Sequence, residues 1–398
     1  MQFPLNTYIV TAMIRFTTNQ GYEDIVVNEI CSLLSRTAKE DFSGRGAALG
    51  YGSARPPGNG SAPAYNPPGN SPAPGDFEIS PFGVRGNVLY THPEPEEELL
   101  PLLTKMRSIY HCVHYLGHIE YGGEDFFPEL PEFFAELQIP MLREAGTFRV
   151  RCDRRGSHSF HSPQVERLAG GILQDRYGTA VDLENPDCDV RVDIFGTHLF
   201  AGVRLSDDQN VRRFDKPFHQ RISTRSVVAY GMLNLSGILS KPGPLLDPFC
   251  GSGTILLEAA NLLPDIELLG CDIHEEAVEG SRENLTRLGA DTRSHIVCGD
   301  ARRLSEVFPP NSAAYIVTDP PLGIRMGKQI NFYPFYSNIL EEAELVLQKE
   351  GRLLLLSARH RKQFNHAVRN NGNFKILHVR VIEYGGIYPA LFLLQKKN

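Results

Sequence analysis

No apolar run in this 398-residue sequence approaches the ~20 residues that a membrane-spanning helix needs. The opening Met1-Gln2-Phe3-Pro4-Leu5-Asn6 lacks a basic segment, so no secretory signal is expected. The seven cysteines (Cys31, Cys112, Cys152, Cys188, Cys250, Cys271 and Cys298) are scattered, and no two have CxxC spacing. Neither a zinc site nor a disulfide framework is therefore indicated, and a reduced, cytoplasmic setting fits. Positive charge is not in excess either. The net charge of −7 argues against a strongly basic nucleic-acid binder, although an RNA footprint can be local. What is present is 41% hydrophobic residues, ample for globular cores, in a length that suggests two or three domains.

Apolar content also fails locally. From about 42 to 75 the composition collapses to Gly, Pro, Ser, Ala and Asn, as in Arg55-Pro56-Pro57-Gly58-Asn59-Gly60. Such a stretch cannot bury enough apolar surface to offset its ordering entropy and reads as a disordered insertion. Around it, alternation predicts a strand over 12–16, a helix over 21–34, structure resuming at 82 with a strand over 84–90, a helix over 96–106 and an extended run over 109–121. This is a small α+β module, 1–125. A second module, 126–205, reads as a helix over 134–143, a strand over 148–152, a helix from Ser162 as N-cap with Pro163 first in the helix to 177, and a hairpin over 190–204 turning at Gly196-Thr197.

Two cation clusters stand out. Arg154, Arg155, His158 and His161 surround Phe160 in what reads as a loop; Arg212, Arg213, Lys216, His219, Arg221 and Arg225 occupy a linker, 206–222, and its flank. Bunched guanidiniums suit phosphate contacts, and a solvated charged loop is the plainer alternative.

From 223 onward a helix over 223–239 leads into alternating strands and helices ending in an antiparallel hairpin, which predicts a doubly wound, mostly parallel α/β sheet. Its centre is Leu245-Leu246-Asp247-Pro248-Phe249-Cys250-Gly251-Ser252-Gly253-Thr254: strand, glycine turn, helix. Glycine lets the backbone lie against a ligand, and the helix start adds unpaired donors. A dinucleotide fingerprint needs a further glycine where Leu256 stands. Asp272 ends the next strand, placed to accept ribose hydroxyls, and Asp300 the third, to meet an adenine amine or equally to cap a helix. Thr318-Asp319-Pro320-Pro321-Leu322-Gly323 ends the fourth. Two prolines cannot continue a ladder. They present the Asp319 carboxylate and Pro320 carbonyl as paired acceptors for an exocyclic amine, stabilising the charge it gains during methylation.

These two motifs resemble those of the Rossmann-fold S-adenosylmethionine-dependent amino-methyltransferases. With Leu322-Gly323-Ile324-Arg325-Met326-Gly327 and the preceding module, the chain is similar to the THUMP-containing RNA guanine-N2 methyltransferases, and most to those acting on tRNA guanosine 6. The resemblance implies a ferredoxin-like domain (1–125), a THUMP RNA-binding domain (126–205), a basic linker (206–222) and a methyltransferase domain (223–398). It implies S-adenosylmethionine held by Asp247, Phe249, Gly251, Gly253, Thr254, Asp272, Ile273, Asp300 and Ala301. Chemistry would fall to Asp319, Pro320, Pro321 and Leu322, and RNA contacts to Arg154, Arg155, His158, Arg212, Arg213, Arg221 and Arg325. Leu322 stands where the family has a base-stacking aromatic, a role open to Phe249, Phe332 or Tyr333. The expected partner is structured RNA, tRNA foremost, with no metal, no membrane and a monomeric chain. Alternatives are methylation of an rRNA guanine N2 or an adenine N6, a non-catalytic RNA-binding protein, or a dinucleotide-dependent oxidoreductase.

Overall fold

The computed structural model describes residues 13–42, 75–92, 96–103, 105–207, 211–221, 223–321, 329–358 and 360–397. Most of the 42–75 insertion, together with Leu322 and Arg325, lies outside them. Two compact units form: Met1–Thr18 with Val26–Asn210, and Asn19–Ile25 with Val211–Asn398.

The first unit contains β1 (Met13–Thr17), all but the first three residues of α1 (Glu23–Phe42), β2 (Asp76–Ile79), β3 (Asn87–Thr91), α2 (Glu96–Leu103), β4 (His111–Glu120), α3 (Leu130–Glu136), β5 (Thr147–Arg155), α4 (Ser162–Tyr177), β6 (Ala180–Val181), β7 (Cys188–Phe195) and β8 (His198–Arg204). The strands form one sheet in the order β2-β3-β1-β4-β8-β7-β5-β6, which runs unbroken across the 125/126 boundary because β4 pairs with β8. Alternation is strict on β7: Val190, Val192 and Ile194 join the core with Val165, Ala169 and Leu173 of α4. Arg191 and Asp193 face the other way, where Asp193 binds both Arg191 and the fully buried Arg15.

Several expectations need correction here. Structure resumes before 82, because β2 pairs with β3. The helix expected over 134–143 is α3 plus a separate 3₁₀ turn, Pro140–Arg143. Proline disfavours helical geometry in the residue before it, and Ile139 is non-helical (φ −128°, ψ 83°). The N-cap of α4 is His161, not Ser162. Its amide donates to Gln164 Oε1 at 2.8 Å.

In the second unit, α5 (Ser226–Ser236) is shorter than expected and stops where Gly237 takes φ 86°. There follow β9 (Leu245–Asp247), α6 (Thr254–Leu262), β10 (Leu268–Asp272), α7 (Glu275–Arg287), β11 (Ser294–Cys298), β12 (Ala313–Thr318), α8 (Phe332–Val346), β13 (Leu347–Ser357), α9 (Arg361–Asn371), β14 (Phe374–Val381) and β15 (Ala390–Lys396). The order is β11-β10-β9-β12-β13-β15-β14, parallel except for β15, which is antiparallel to both neighbours. This is the expected doubly wound α/β sheet with an antiparallel edge hairpin. Leu245, Tyr315, Val317 and Leu354 pack into the core shared with α5 and α6, while Leu246, Ile316, Leu353 and Leu355 pack with α8 and α9. The order reverses between β9 and β12, so the crevice for a ligand opens at the carboxyl ends of those strands.

Candidate active site

Asp247 closes β9 and is 2% exposed. Its Oδ1 accepts from the Phe249 amide (3.2 Å) and from the Thr318 hydroxyl (2.7 Å). Burial pushes its carboxyl up to about 7, and the carboxylates of Asp319 and Asp272 add to the shift. Beyond it, the chain turns tightly: Gly251 has φ 52° and Gly253 φ 77°, both in the left-handed region where side chains are disfavoured. The turn is tied to β10 twice, since the Cys250 amide donates to Cys271 O (2.9 Å) and the Gly251 amide to Asp272 Oδ2 (3.0 Å). The other oxygen of Asp272 accepts from the His274 amide at 3.0 Å. Beside it Ile273 is 59% exposed, an apolar surface at the rim of the turn.

Thr254, first in α6, is buried, and its Oγ1 bonds to Lys216 Nζ (2.7 Å) and Ser223 Oγ (3.0 Å). Burial lowers the Lys216 ammonium to about 8, against the attraction of Glu258. Asp300 caps the 3₁₀ turn Ala301–Glu306. Arg302 grips both its oxygens (2.5–3.0 Å) and holds the carboxyl below the usual range, while Ala301 is buried. The capping alternative is thus the arrangement seen, and the carboxylate is already engaged.

Asp319 follows β12 directly and is half-buried; Pro320 is buried and Pro321 half-buried. One oxygen, Oδ2, accepts from both Thr224 Oγ1 (2.9 Å) and Tyr384 OH (3.1 Å). Burial raises the carboxyl to about 6, and both hydroxyls oppose that rise. Neither Thr224 nor Tyr384 carries a motif in the sequence. The nearest signal was Gly385-Gly386 beside the tyrosine, which marks a turn.

Phe249 is half-buried, 5.9 Å from Phe335, and Phe332 is buried and stacked on His360 at 3.8 Å. Phe332 is therefore corrected from a base-stacking candidate to a core residue. The Tyr333 hydroxyl accepts from Asn370 at 2.7 Å.

The basic residues divide. Arg155, Arg212 and Arg221 are exposed. Arg154 and Arg155 are the last residues of β5, not of a loop, because they pair in register with Ile194 and Phe195. Arg154 donates to His158 Nδ1 at 2.8 Å, and His158 donates from Nε2 to Gly196 O at 2.8 Å, so both brace that strand end. Arg213 is corrected: its guanidinium forms a 2.6 Å ion pair with Glu258 of α6, with side chains 8% and 0% exposed, and faces no solvent-borne phosphate. Among the described residues no three His, Cys, Asp or Glu side chains converge as a metal site, and no helix is long and apolar enough to cross a membrane.

The donor set fits S-adenosylmethionine. Asp272 and Asp319 are close enough to Asp247 that their charges oppose its ionisation. A ligand bearing an ammonium and a sulfonium relieves that repulsion, and the glycine turn offers backbone where a side chain would intrude. Asp247, Asp272 and the turn between them would hold it, with Ile273 against an apolar ring.

Comparison with known proteins agrees. Residues 213–390 match the UPF0020 family, an RMKL-like methyltransferase domain, and 126–203 match the THUMP domain. A tRNA (guanine(6)-N2)-methyltransferase of Thermus thermophilus is 36% identical over 293 residues, 73% of this chain and 85% of that protein. One from Methanocaldococcus jannaschii is 27% identical over 301 residues, 64% and 77% of the respective chains. The crystal structure of TrmN from Thermus thermophilus is 30% identical and superposes with a TM-score of 0.68, covering 97% of this chain and 99% of that one. The chain belongs to the THUMP-bearing guanine-N2 methyltransferases, enzymes that use S-adenosylmethionine.

Proposed function

We propose that this enzyme methylates the exocyclic N2 of a guanosine in tRNA, at position 6. The observation that carries the reading is the acceptor pair at the end of β12. Asp319 has its Oδ2 fixed by two hydroxyls, and its neighbour Pro320 supplies a carbonyl in a backbone that cannot join the ladder. Two rigid acceptors suit the two hydrogens of an amine and stabilise the positive charge that grows on its nitrogen. When bound, S-adenosylmethionine supplies an electrophilic methyl group. The chain's part is to present the amine nitrogen in line and hold it there. A strong base is not required, because the charged amine product sheds its proton readily.

In this reading residues 1–125 form a ferredoxin-like domain, 126–205 the THUMP grip on structured RNA, 206–222 a basic linker and 223–398 the catalytic domain. Arg155, Arg212 and Arg221 are the exposed cations suited to phosphates, and the target base is extruded into the cleft. The enzyme works in the cytoplasm as a monomer, with no metal.

The test is digestion to nucleosides, with mass mapping, of tRNA and rRNA treated with wild-type enzyme and with Asp319→Ala. The expected product is N2-methylguanosine at tRNA position 6, with turnover lost by about 10²-fold or more in the variant while cofactor affinity is retained. Methylation confined to rRNA or to adenine N6 would overturn the substrate assignment. Equal loss of cofactor binding and turnover would overturn the role of Asp319.

A further inference from the structure

We infer that Tyr384 and Thr224 are positioning residues for methyl transfer: by loading both their hydroxyl protons onto Asp319 Oδ2, they leave Oδ1 and the Pro320 carbonyl as the two acceptors turned to the target amine. The inference rests on the reaction proposed above and adds two residues to it.

The geometry is asymmetric. Both donors, at 2.9 and 3.1 Å, reach the same oxygen. Among the described residues none donates to Oδ1 or to the Pro320 carbonyl. A carboxylate held at one oxygen by two donors cannot rotate about its terminal bond without losing both. Freedom at that bond is what would blur the alignment of an amine, and small misplacements are costly in rate.

Each donor is itself anchored. Tyr384 opens a two-residue hairpin turn: its amide donates to Ile387 O (2.8 Å), and Gly385 and Gly386 take φ 61° and 84° as such a turn requires. The Gly386 amide donates to Glu383 Oε1 at 2.7 Å, and the Glu383 carbonyl accepts from Asn19 Nδ2 at 2.6 Å. The phenol thus sits on a braced corner of the β14–β15 connection. Thr224 stands next to Ser223, whose hydroxyl bonds to Ser252 of the glycine turn and to Thr254 at the start of α6, each at 3.0 Å. The position of Thr224 is therefore tied to the cofactor turn, and Asp319 is clamped between that turn and the sheet edge. The electrostatics agree, since both hydroxyls favour the ionised carboxylate and oppose the burial that would neutralise it.

The test uses the full-length enzyme with tRNA and S-adenosylmethionine, comparing wild type with Tyr384→Phe, Thr224→Val and Thr224→Ser. Tyr384→Phe keeps the ring and removes the donor. A hydrogen bond to a charged group is worth about 1.5–3 kcal/mol, so kcat should fall about 10–100-fold. Cofactor Kd and the KM for tRNA should stay within about twofold, because the inference assigns the phenol to Asp319 and not to either ligand. Loss of a donor should also move the acid limb of the kcat profile to higher pH. Thr224→Val should behave likewise, and Thr224→Ser should restore both rate and limb. Unchanged kcat and an unmoved limb in Tyr384→Phe and Thr224→Val would overturn the inference. So would a parallel fall in cofactor affinity and thermal stability, which a merely structural role produces. A wild-type enzyme without turnover on any RNA would instead sink the proposed reaction, so the two failures are separable.

Discussion

Arg213 offers the sharpest contest between what a sequence suggests and what a fold does with it. In a run of cations it looks like a phosphate contact, yet its guanidinium lies 2.6 Å from Glu258, which is 0% exposed. Breaking a buried ion pair by removing one partner costs about 3–5 kcal/mol. For a unit of this size about 2–4 °C of Tm accompanies each kcal/mol, so Arg213→Ala should lower the melting temperature of the second unit by about 6–20 °C. Glu258→Gln should do the same. It should also lower the Lys216 pKa further below about 8, since Glu258 is the group that raises it. The double change Arg213→Met with Glu258→Leu removes both charges and should recover most of the loss. Calorimetry or urea titration measures stability; RNA binding at several salt concentrations measures the alternative. A phosphate contact contributes about one unit to the slope of log K against log salt, so a stable Arg213→Ala enzyme whose salt slope drops by about one would refute the structural assignment.

Three further outcomes follow. Burial raises Asp247 to about 7 and Asp319 to about 6. A carboxyl whose pKa is higher folded than unfolded contributes stability that is present at low pH and lost as pH rises through the folded value. From these groups the free second unit should therefore be more stable near pH 5 than near pH 8. A cofactor bearing positive charge favours the ionised forms, so binding near pH 6.5 should release protons; calorimetry in buffers of different ionisation enthalpy reads this, and proton uptake would contradict it. Gly253→Ala places a Cβ 2.6 Å from Ser281 Oγ at φ 77°. Gly372→Ala shares a φ of 74° but meets nothing within 4 Å. Both should lose about 1–2 kcal/mol from the left-handed backbone, measured by urea titration, and only Gly253→Ala should also lose cofactor affinity.

The parts that could be read from the chain are those where local chemistry and tertiary role coincide. β9, α6 and β10 fall where expected, because apolar runs there end at Asp247 and Asp272 and a glycine turn leaves the backbone no other choice. The four-residue β2 and the seven-residue α3 were missed or misplaced, since short elements beside prolines carry too few periods to register. Charge was read without burial. Arg213 and Arg154 have the residue type of a phosphate contact, but one is sealed in a core pair and the other braces a strand end. Thr224 and Tyr384 had no signal at all. They lie 95 and 65 positions from Asp319 and meet it only after the sheet has brought three distant segments to one edge.

That meeting joins the two motifs into one hydrogen-bonded cluster. Pairing of β12 with β9 sets Ile316 opposite Leu246, so Thr318 stands one step past the end of β9 and its hydroxyl reaches back 2.7 Å to Asp247. The residue that follows is Asp319, held from the other side by Thr224, whose neighbour Ser223 grips the glycine turn. The carboxylate at the cofactor turn and the carboxylate at the acceptor motif are thus linked through Thr318 along one strand, and again through 223–224. In a close-packed interior such links do not stretch continuously. A shift of β12 along β9 would therefore move both carboxylates' partners at once. The spacing of the Asp247 and Asp319 carboxylates is thus set by strand register together with the 223–224 link.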